Sequence, residues 1–504
     1  MGNSSRIFKE PSGRPMQDWI ETVPNEGLIR YRHVFNAERV LLTDPKALGE
    51  VLVTKNYEFI KPANIRNGLG RILGVGILLA EGDEHKVTLT FLRTMDANAN
   101  PNQRQRKNLM PAFHFRHVKE LYPTFWDKSR EMVETMAEAM KKPSENSEKA
   151  SNVVEVTGWT SRATLDIIGV AGLGGDFGAL KDPNNKLIAT YRNIFNPPRY
   201  ARYMQLAGMF VPQWILRALP VKRNTEIEDA SAFIKQTCRD LIASKKAKME
   251  KAERTEKDIL SVAIESGGFT DEELVNQLMT FLVAGKHYQC DLLWSIKSDI
   301  WTGHETTSTA MTWAIYLLSK NKDVQSKLRA EIHSKLPSIR DADAEIDHTD
   351  IDDCHYLHAV CNEVLRTWAP VSLTMRTAAH DATINGQLIP KNTIVILCPW
   401  AVNNSTKLWG PDAAEFKPER WMAEGQANKG GADSNYSFLT FLHGPRSCIG
   451  LGFARAEFAC LLAAWFGRFE TELENPDFVP EIKGGITAKP KGGLWVKLSE
   501  AQGW

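Results

Sequence analysis

The stretch Phe441-Leu442-His443-Gly444-Pro445-Arg446-Ser447-Cys448-Ile449-Gly450 presents one cysteine in a glycine-braced loop. The residues after it, Leu451 to Glu470, carry Phe453, Phe458, Leu461, Leu462 and Trp465 at helical spacing. That pattern predicts a helix opening directly behind the cysteine. Cys448 then stands where free amide N–H groups and the positive dipole end favour a thiolate, the form that binds a metal. Gly444 and Gly450 give the loop freedom to turn tightly, Arg446 supplies a cation, and Phe441 can screen the sulfur from water. A buried structural cysteine ahead of a core helix is the bland alternative. It leaves the spacing Phe-x-x-Gly-x-Arg-x-Cys-x-Gly without a reason.

This window resembles the signature of the cytochrome P450 family, and two further motifs agree with it in order and spacing. Glu363-Val364-Leu365-Arg366 lies in a helical stretch, Tyr356 to Trp368, where i,i+3 spacing puts acid and base on one face. Phe416-Lys417-Pro418-Glu419-Arg420-Trp421 follows further along the chain. The resemblance implies a structural triad of Glu363, Arg366 and Arg420 that holds the cysteine loop in register. It also implies heme b, with Cys448 as the axial ligand of the iron and so the metal-binding residue. Phe441, Gly444, Arg446 and Gly450 would surround the ligand, and Arg106, His85, Arg376 and Arg446 are the candidate partners of the heme propionates. An electron-rich thiolate ligand of this kind favours O–O cleavage.

The family's oxygen-handling segment is present but interrupted. Phe281-Leu282-Val283-Ala284-Gly285 is followed by Lys286 to Gly303, and only then by His304-Glu305-Thr306-Thr307. Without the intervening residues the stretch matches the family pattern, with Glu305 and Thr306 as the catalytic acid-alcohol pair. A second interruption, Val87 to Gln103, separates His85-Lys86 from Arg104-Gln105-Arg106. Its removal would place His85 four residues before Arg106 on one helical face. Gly-Lys and Val can encode splice donors, and Thr-Gly and Gln can encode acceptors. Segments 87–103 and 286–303 therefore read as short in-frame introns carried into the protein. Continued as helix, the second would shift Glu305 and Thr306 by ~27 Å.

Composition fits one large catalytic domain over residues 1–504, mainly α with small β-sheets, as the cytochrome P450 fold implies. There are 62 basic and 61 acidic residues, which leaves no global field for nucleic acid. Helical periodicity marks Phe125 to Met140, Ala230 to Lys251 and Thr307 to Leu328. Strands are expected at Val40-Leu41-Leu42, Thr393 to Leu397 and Leu494-Trp495-Val496. Cysteines 238, 290, 354, 361, 398, 448 and 460 form no Cys-x-x-Cys pair, which suits a reducing compartment. No segment reaches the ~20 apolar residues of a membrane span. Because fungal microsomal members begin with an anchor, the chain reads as starting late in its gene. The expected native location is the endoplasmic reticulum membrane, on its cytosolic face.

The resemblance implies a monooxygenase that inserts one atom of O₂ into a lipophilic small molecule, in fungal secondary metabolism or xenobiotic oxidation. Electrons would come from NADPH through a separate NADPH-cytochrome P450 reductase, since no flavin or nicotinamide domain is evident. Lys107, Arg116, Lys119 and Arg455 are candidate docking cations for that reductase, and the protein is expected to be a monomer. The pocket would be lined from Ala63 to Leu79, Asn193 to Val211, Leu278 to Gly285, Val371 to Thr374 and Ile486-Thr487. Two other functions remain open at this point. One is a same-fold peroxide isomerase or dehydratase, against which Glu305-Thr306 speaks; the other is an inactive, heme-binding-only product of mis-splicing.

Overall fold

The computed structural model describes residues 3, 6–7, 13–33, 36–63, 65–66, 70, 74, 76–79, 101–141, 150–183, 185–187, 189–190, 222–251, 258–283, 305–341, 343–483 and 487–504. His85, most of segment 87–103, all of 286–303 and the stretch 193–211 lie outside them.

Helices dominate: α1 (Arg14–Thr22), α2 (Pro101–Phe113), α3 (Tyr122–Lys141), α4 (Val156–Ile167), α5 (Lys222–Glu250), α6 (Asp271–Val283), α7 (Glu305–Lys320), α8 (Lys322–Lys335), α9 (His355–Thr367) and α10 (Leu451–Arg468). The mainly α architecture with small sheets is the one the sequence predicts. Helix α10 is buried continuously from Ala456 to Arg468, so it has no solvent face and packs at the centre, against α3, α7, α8 and α9. A helix apolar on all sides is stable only in such a position.

Strands β1 (Leu28–Arg32), β2 (Glu38–Leu42), β3 (Phe59–Ile60), β4 (Val153–Glu155), β5 (Thr374–Ala378), β6 (Ala382–Ile384), β7 (Gln387–Ile389), β8 (Ile394–Leu397), β9 (Phe469–Leu473), β10 (Ile482–Lys483), β11 (Lys489–Pro490) and β12 (Trp495–Glu500) form four small sheets. The largest has the order β1-β2-β8-β5-β3, with β2 and β8 parallel. Its central strand β8 is buried at Val395, Ile396 and Leu397. The β6–β7 hairpin turns through Asn385 (φ 49°) and Gly386 (φ 77°), the left-handed pair that a two-residue turn requires. A contiguous apolar core runs from Ile7 to Trp504 and unites the helices with the C-terminal strands.

One expected helix is two. The periodic stretch Thr307 to Leu328 breaks at Asn321, whose backbone leaves helical geometry (φ −117°, ψ 79°). Its side-chain amide donates to the Leu317 carbonyl at 2.8 Å. This is local competition by an asparagine side chain for helix carbonyls. Apolar periodicity continues across the break because α7 and α8 both pack on α10.

Candidate functional site

The cysteine loop is held by its own backbone and by distant segments. The Cys448 N–H donates to the Phe441 carbonyl at 2.9 Å and the Ser447 N–H to that of Gly444 at 3.0 Å. Gly444 sits at φ +76°, and a Cβ there would lie 2.3 Å from the Leu52 carbonyl oxygen. Glycine is required at that position by backbone approach as well as by conformation. Gly450 differs: a Cβ would meet nothing nearer than a Phe113 ring carbon at 3.8 Å, so no protein contact dictates it. Leu442 also takes a left-handed conformation, φ 56°, which the sequence pattern does not reveal.

Cys448 lies deep in the protein, yet its surface is accessible because it opens into a cavity of about 570 Å³. Burial pushes its thiol up, opposed by the Gly450 amide and the Arg106 charge. Coordination to a metal would oppose the burial effect, since a coordinating thiol is deprotonated outright. Among the described residues no group of three or more His, Cys, Asp or Glu side chains could hold a metal. The group that the resemblance implies on Cys448 is heme, whose ring brings its own ligands to the iron.

The cavity fits such a group. Its walls are mainly apolar, with Phe113, Phe281, Ala310, Leu365, Phe441 and Phe453 among them, and three arginines, Arg106, Arg376 and Arg446, reach it. Arg446 Nη1 donates to the Phe59 carbonyl at 2.7 Å. Arg106 Nη1 donates to the Ser447 carbonyl at 2.8 Å, bracing the residue beside the cysteine. Buried Arg376, on β5, donates to the Met375 carbonyl at 2.9 Å. An apolar slot with one thiol and three guanidinium groups matches a flat, apolar ring carrying carboxylates. Ile77, Leu78, Thr280, Val371 and Thr374, from the predicted lining regions, face it as well.

Helix α7 sends successive residues in different directions, as 3.6 residues per turn demands. Thr306 lines the cavity. Buried Glu305 does not; its Oε1 lies 3.4 Å from Lys489 Nζ and its Oε2 accepts from the Thr487 hydroxyl at 3.3 Å. Thr307 donates to Glu457 Oε2 on α10 at 2.8 Å. Ser308 meets Thr160 and Ser161 of α4, both at 2.9 Å. Glu457 is buried, and desolvation lifts its carboxyl to about 8. Neither Glu457 nor Lys489 is picked out by the sequence motifs. The signal for Glu457 was an acid inside the apolar run of α10.

The predicted triad meets in one place. Glu363 and Arg366 are fully buried and form a bidentate pair, at 2.8 and 2.9 Å. Arg420 Nε reaches Glu363 Oε1 at 3.0 Å. Two donors that the motif does not name complete the carboxylate: the Lys417 N–H at 3.0 Å and the Trp421 indole N–H at 2.9 Å. Arg366 also donates to the carbonyls of Asn403, Ala413 and Glu415. Arg455, one of the candidate docking cations, is partly buried, with its guanidinium over the Phe441 and Phe438 rings. Burial lowers its pKa from the usual arginine range.

The cytochrome P450 family model matches residues 29–287 and 292–496. The chain belongs to the cytochrome P450 family. It is similar to the cytochrome P450 monooxygenase sphH of Aspergillus fumigatus, 45% identical over 510 residues that span 100% of this chain and 86% of the relative. FUM15 of Gibberella moniliformis is 38% identical, covering 98% and 85% of the two chains. ALT8 of Alternaria alternata is 37% identical, covering 99% and 87%. Both are named cytochrome P450 monooxygenases. This P450 is accordingly an oxygen-incorporating oxidoreductase, and the family implies a heme cofactor, O₂, a small substrate and a redox partner. No helix among the described residues is long and apolar enough to cross a membrane.

Proposed function

We propose that this P450 oxidises a lipophilic small molecule, by hydroxylation or a related insertion of oxygen, in fungal secondary metabolism or xenobiotic oxidation. The observation that carries the proposal is the accessible Cys448 sulfur in a mainly apolar cavity whose wall also bears Thr306. Heme b, when bound, supplies the redox-active iron at which O₂ is reduced. Cys448 would be its axial ligand, Phe441 would screen the sulfur, and Gly444 and Gly450 would shape the loop. Arg106, Arg376, Arg446 and His85 would hold the propionates. Glu305 and Thr306 are assigned to proton supply, with Thr306 holding a proton donor at the cavity wall through its hydroxyl. Electrons come from NADPH through a separate reductase, and the native protein works as a monomer on the cytosolic face of the endoplasmic reticulum membrane.

The proposal includes segments 87–103 and 286–303 as intron-derived. Supporting this, Phe281 of α6 and Thr306 and Ala310 of α7 line the same cavity. With 286–303 removed these residues stand about seven and eleven positions apart, the spacing of one continuous helical face. The test is to express the chain as written and without both segments, and to record the reduced carbon-monoxide spectrum with NADPH consumption. A strongly red-shifted Soret band and reductase-dependent turnover are expected of the shortened form, and Cys448→Ser should abolish the band. A shortened form that binds no heme overturns the reading, and a transcript retaining both segments overturns the intron assignment.

A further inference from the structure

The segment Thr487-Ala488-Lys489 is fastened to α7 at two points. Its Ala488 carbonyl accepts from the Trp313 indole N–H at 2.5 Å. Two helical turns earlier, Glu305 takes the Thr487 hydroxyl and the Lys489 ammonium. On its other side the segment is pinned to the cavity wall. The Ala488 N–H donates to the Pro370 carbonyl at 3.0 Å and Thr487 bridges to Val371, and Pro370 and Val371 both line the cavity. The ion pair is almost wholly removed from water, with side-chain exposures of 11% for Lys489 and 2% for Glu305. A carboxylate at that depth stays ionised only with a cation beside it.

We propose that Lys489 is a positioning residue for proton supply: its ammonium holds the Glu305 carboxylate toward the C-terminal segment, one residue from Thr306. This rests on the reading of Glu305 and Thr306 as the acid-alcohol pair of a heme-thiolate monooxygenase. Glu305 can then accept a proton at a carboxylate oxygen and release it toward the Thr306 side. In Lys489→Met the carboxyl loses the cation that holds it in place, so it relays a proton less well. A feature built only for stability would have no reason to meet the acid at the start of the cavity-lining helix.

The experiment uses the chain with and without segments 87–103 and 286–303, each as it stands and carrying Lys489→Met, Lys489→Arg, Glu305→Gln or both Glu305→Gln and Lys489→Met. Two readouts are taken: product and hydrogen peroxide formed per NADPH consumed, and the urea unfolding midpoint. Lys489→Met is expected to lower product per NADPH at least three-fold, with the balance appearing as peroxide and the carbon-monoxide band unchanged. Lys489→Arg should restore at least half of the coupling. Glu305→Gln should match Lys489→Met, and the double variant should be no worse than either. In unfolding, Lys489→Met should shift the midpoint more when Glu305 is present than when it is glutamine. Independent, additive shifts overturn the ion pair itself, whatever the turnover. Interacting shifts with unchanged product yield leave Lys489 structural and overturn the positioning role. If neither form shows a carbon-monoxide band, the functional reading and the positioning role fail together, while the unfolding cycle still decides the pair.

Discussion

Two buried glutamates in this P450 are held in opposite ways. Glu363 accepts five hydrogen bonds between 2.8 and 3.0 Å, from Arg366, Arg420, Trp421 and a backbone amide. Among the described residues, Glu305 has two polar neighbours, at 3.3 and 3.4 Å. Both sit out of water, so depth alone does not explain the contrast. The carboxylate at Glu363 joins α9 to the Pro418–Trp421 turn, and every lone pair is engaged. At Glu305 the carboxylate keeps room to exchange partners. A saturated site fixes geometry, whereas an undersaturated site retains a group that can move or change protonation.

The largest effect should come from breaking the saturated site. Glu363→Ala strands the Arg366 and Arg420 guanidinium groups in a region where Arg366 is fully buried. Removing one partner of such a pair costs about 3–5 kcal/mol. Urea unfolding of the variant should show that loss, or yield too little folded protein to titrate. A loss below ~1 kcal/mol would mean that the knot is no more constrained than the Glu305 site, and the contrast would fail.

A third buried acid sharpens the comparison through pH. Glu457 has a hydroxyl partner, Thr307, and burial holds its folded-state carboxyl at about 8 against an ordinary 4.5. The folded protein therefore binds a proton that the unfolded chain releases. Stability from this group is fully present below about 4.5 and is lost as pH rises through about 8. One such group gives a slope of at most about 1.4 kcal/mol per pH unit across that window. Glu457→Gln should flatten the fall in stability between these limits, read from urea midpoints at several pH values. Superimposable pH profiles for the two proteins would show that Glu457 is ionised in the fold.

The cysteine loop and the triad were legible in the sequence because each motif is local, and only the joining of α9 to Arg420 needs the fold. What remained hidden was pairing over distance. Thr487 meets Glu305 across 182 residues, and no periodicity in either segment encodes that meeting. It arises because α7 packs beside the C-terminal strands, which topology decides. Asn321 was missed for the opposite reason, since a single side chain cut a helix that the apolar pattern carried through. Arg455 was read by its charge alone, and its contact with the Phe438 and Phe441 rings needs the fold. That burial pushes the Cys448 thiol up is likewise a property of the fold that the loop motif does not carry.

The smallest effect should come from the loosely held site. Thr487→Val keeps shape and the bridge to Val371 but removes the hydroxyl that donates to Glu305 at 3.3 Å. A bond of that length lies at the weak end of the range, and the expected loss is about 0.5–1.5 kcal/mol by urea unfolding. Lys489 remains beside the carboxylate, so the charge is not stranded and no cavity opens. The change should therefore be several-fold milder than Glu363→Ala, although Thr487 is itself buried. If Thr487→Val instead costs as much as the triad variant, the hydroxyl is holding Glu305 as firmly as Trp421 and the arginines hold Glu363. The acid beside Thr306 would then be fixed in place, and a mobile proton carrier there would have no physical basis.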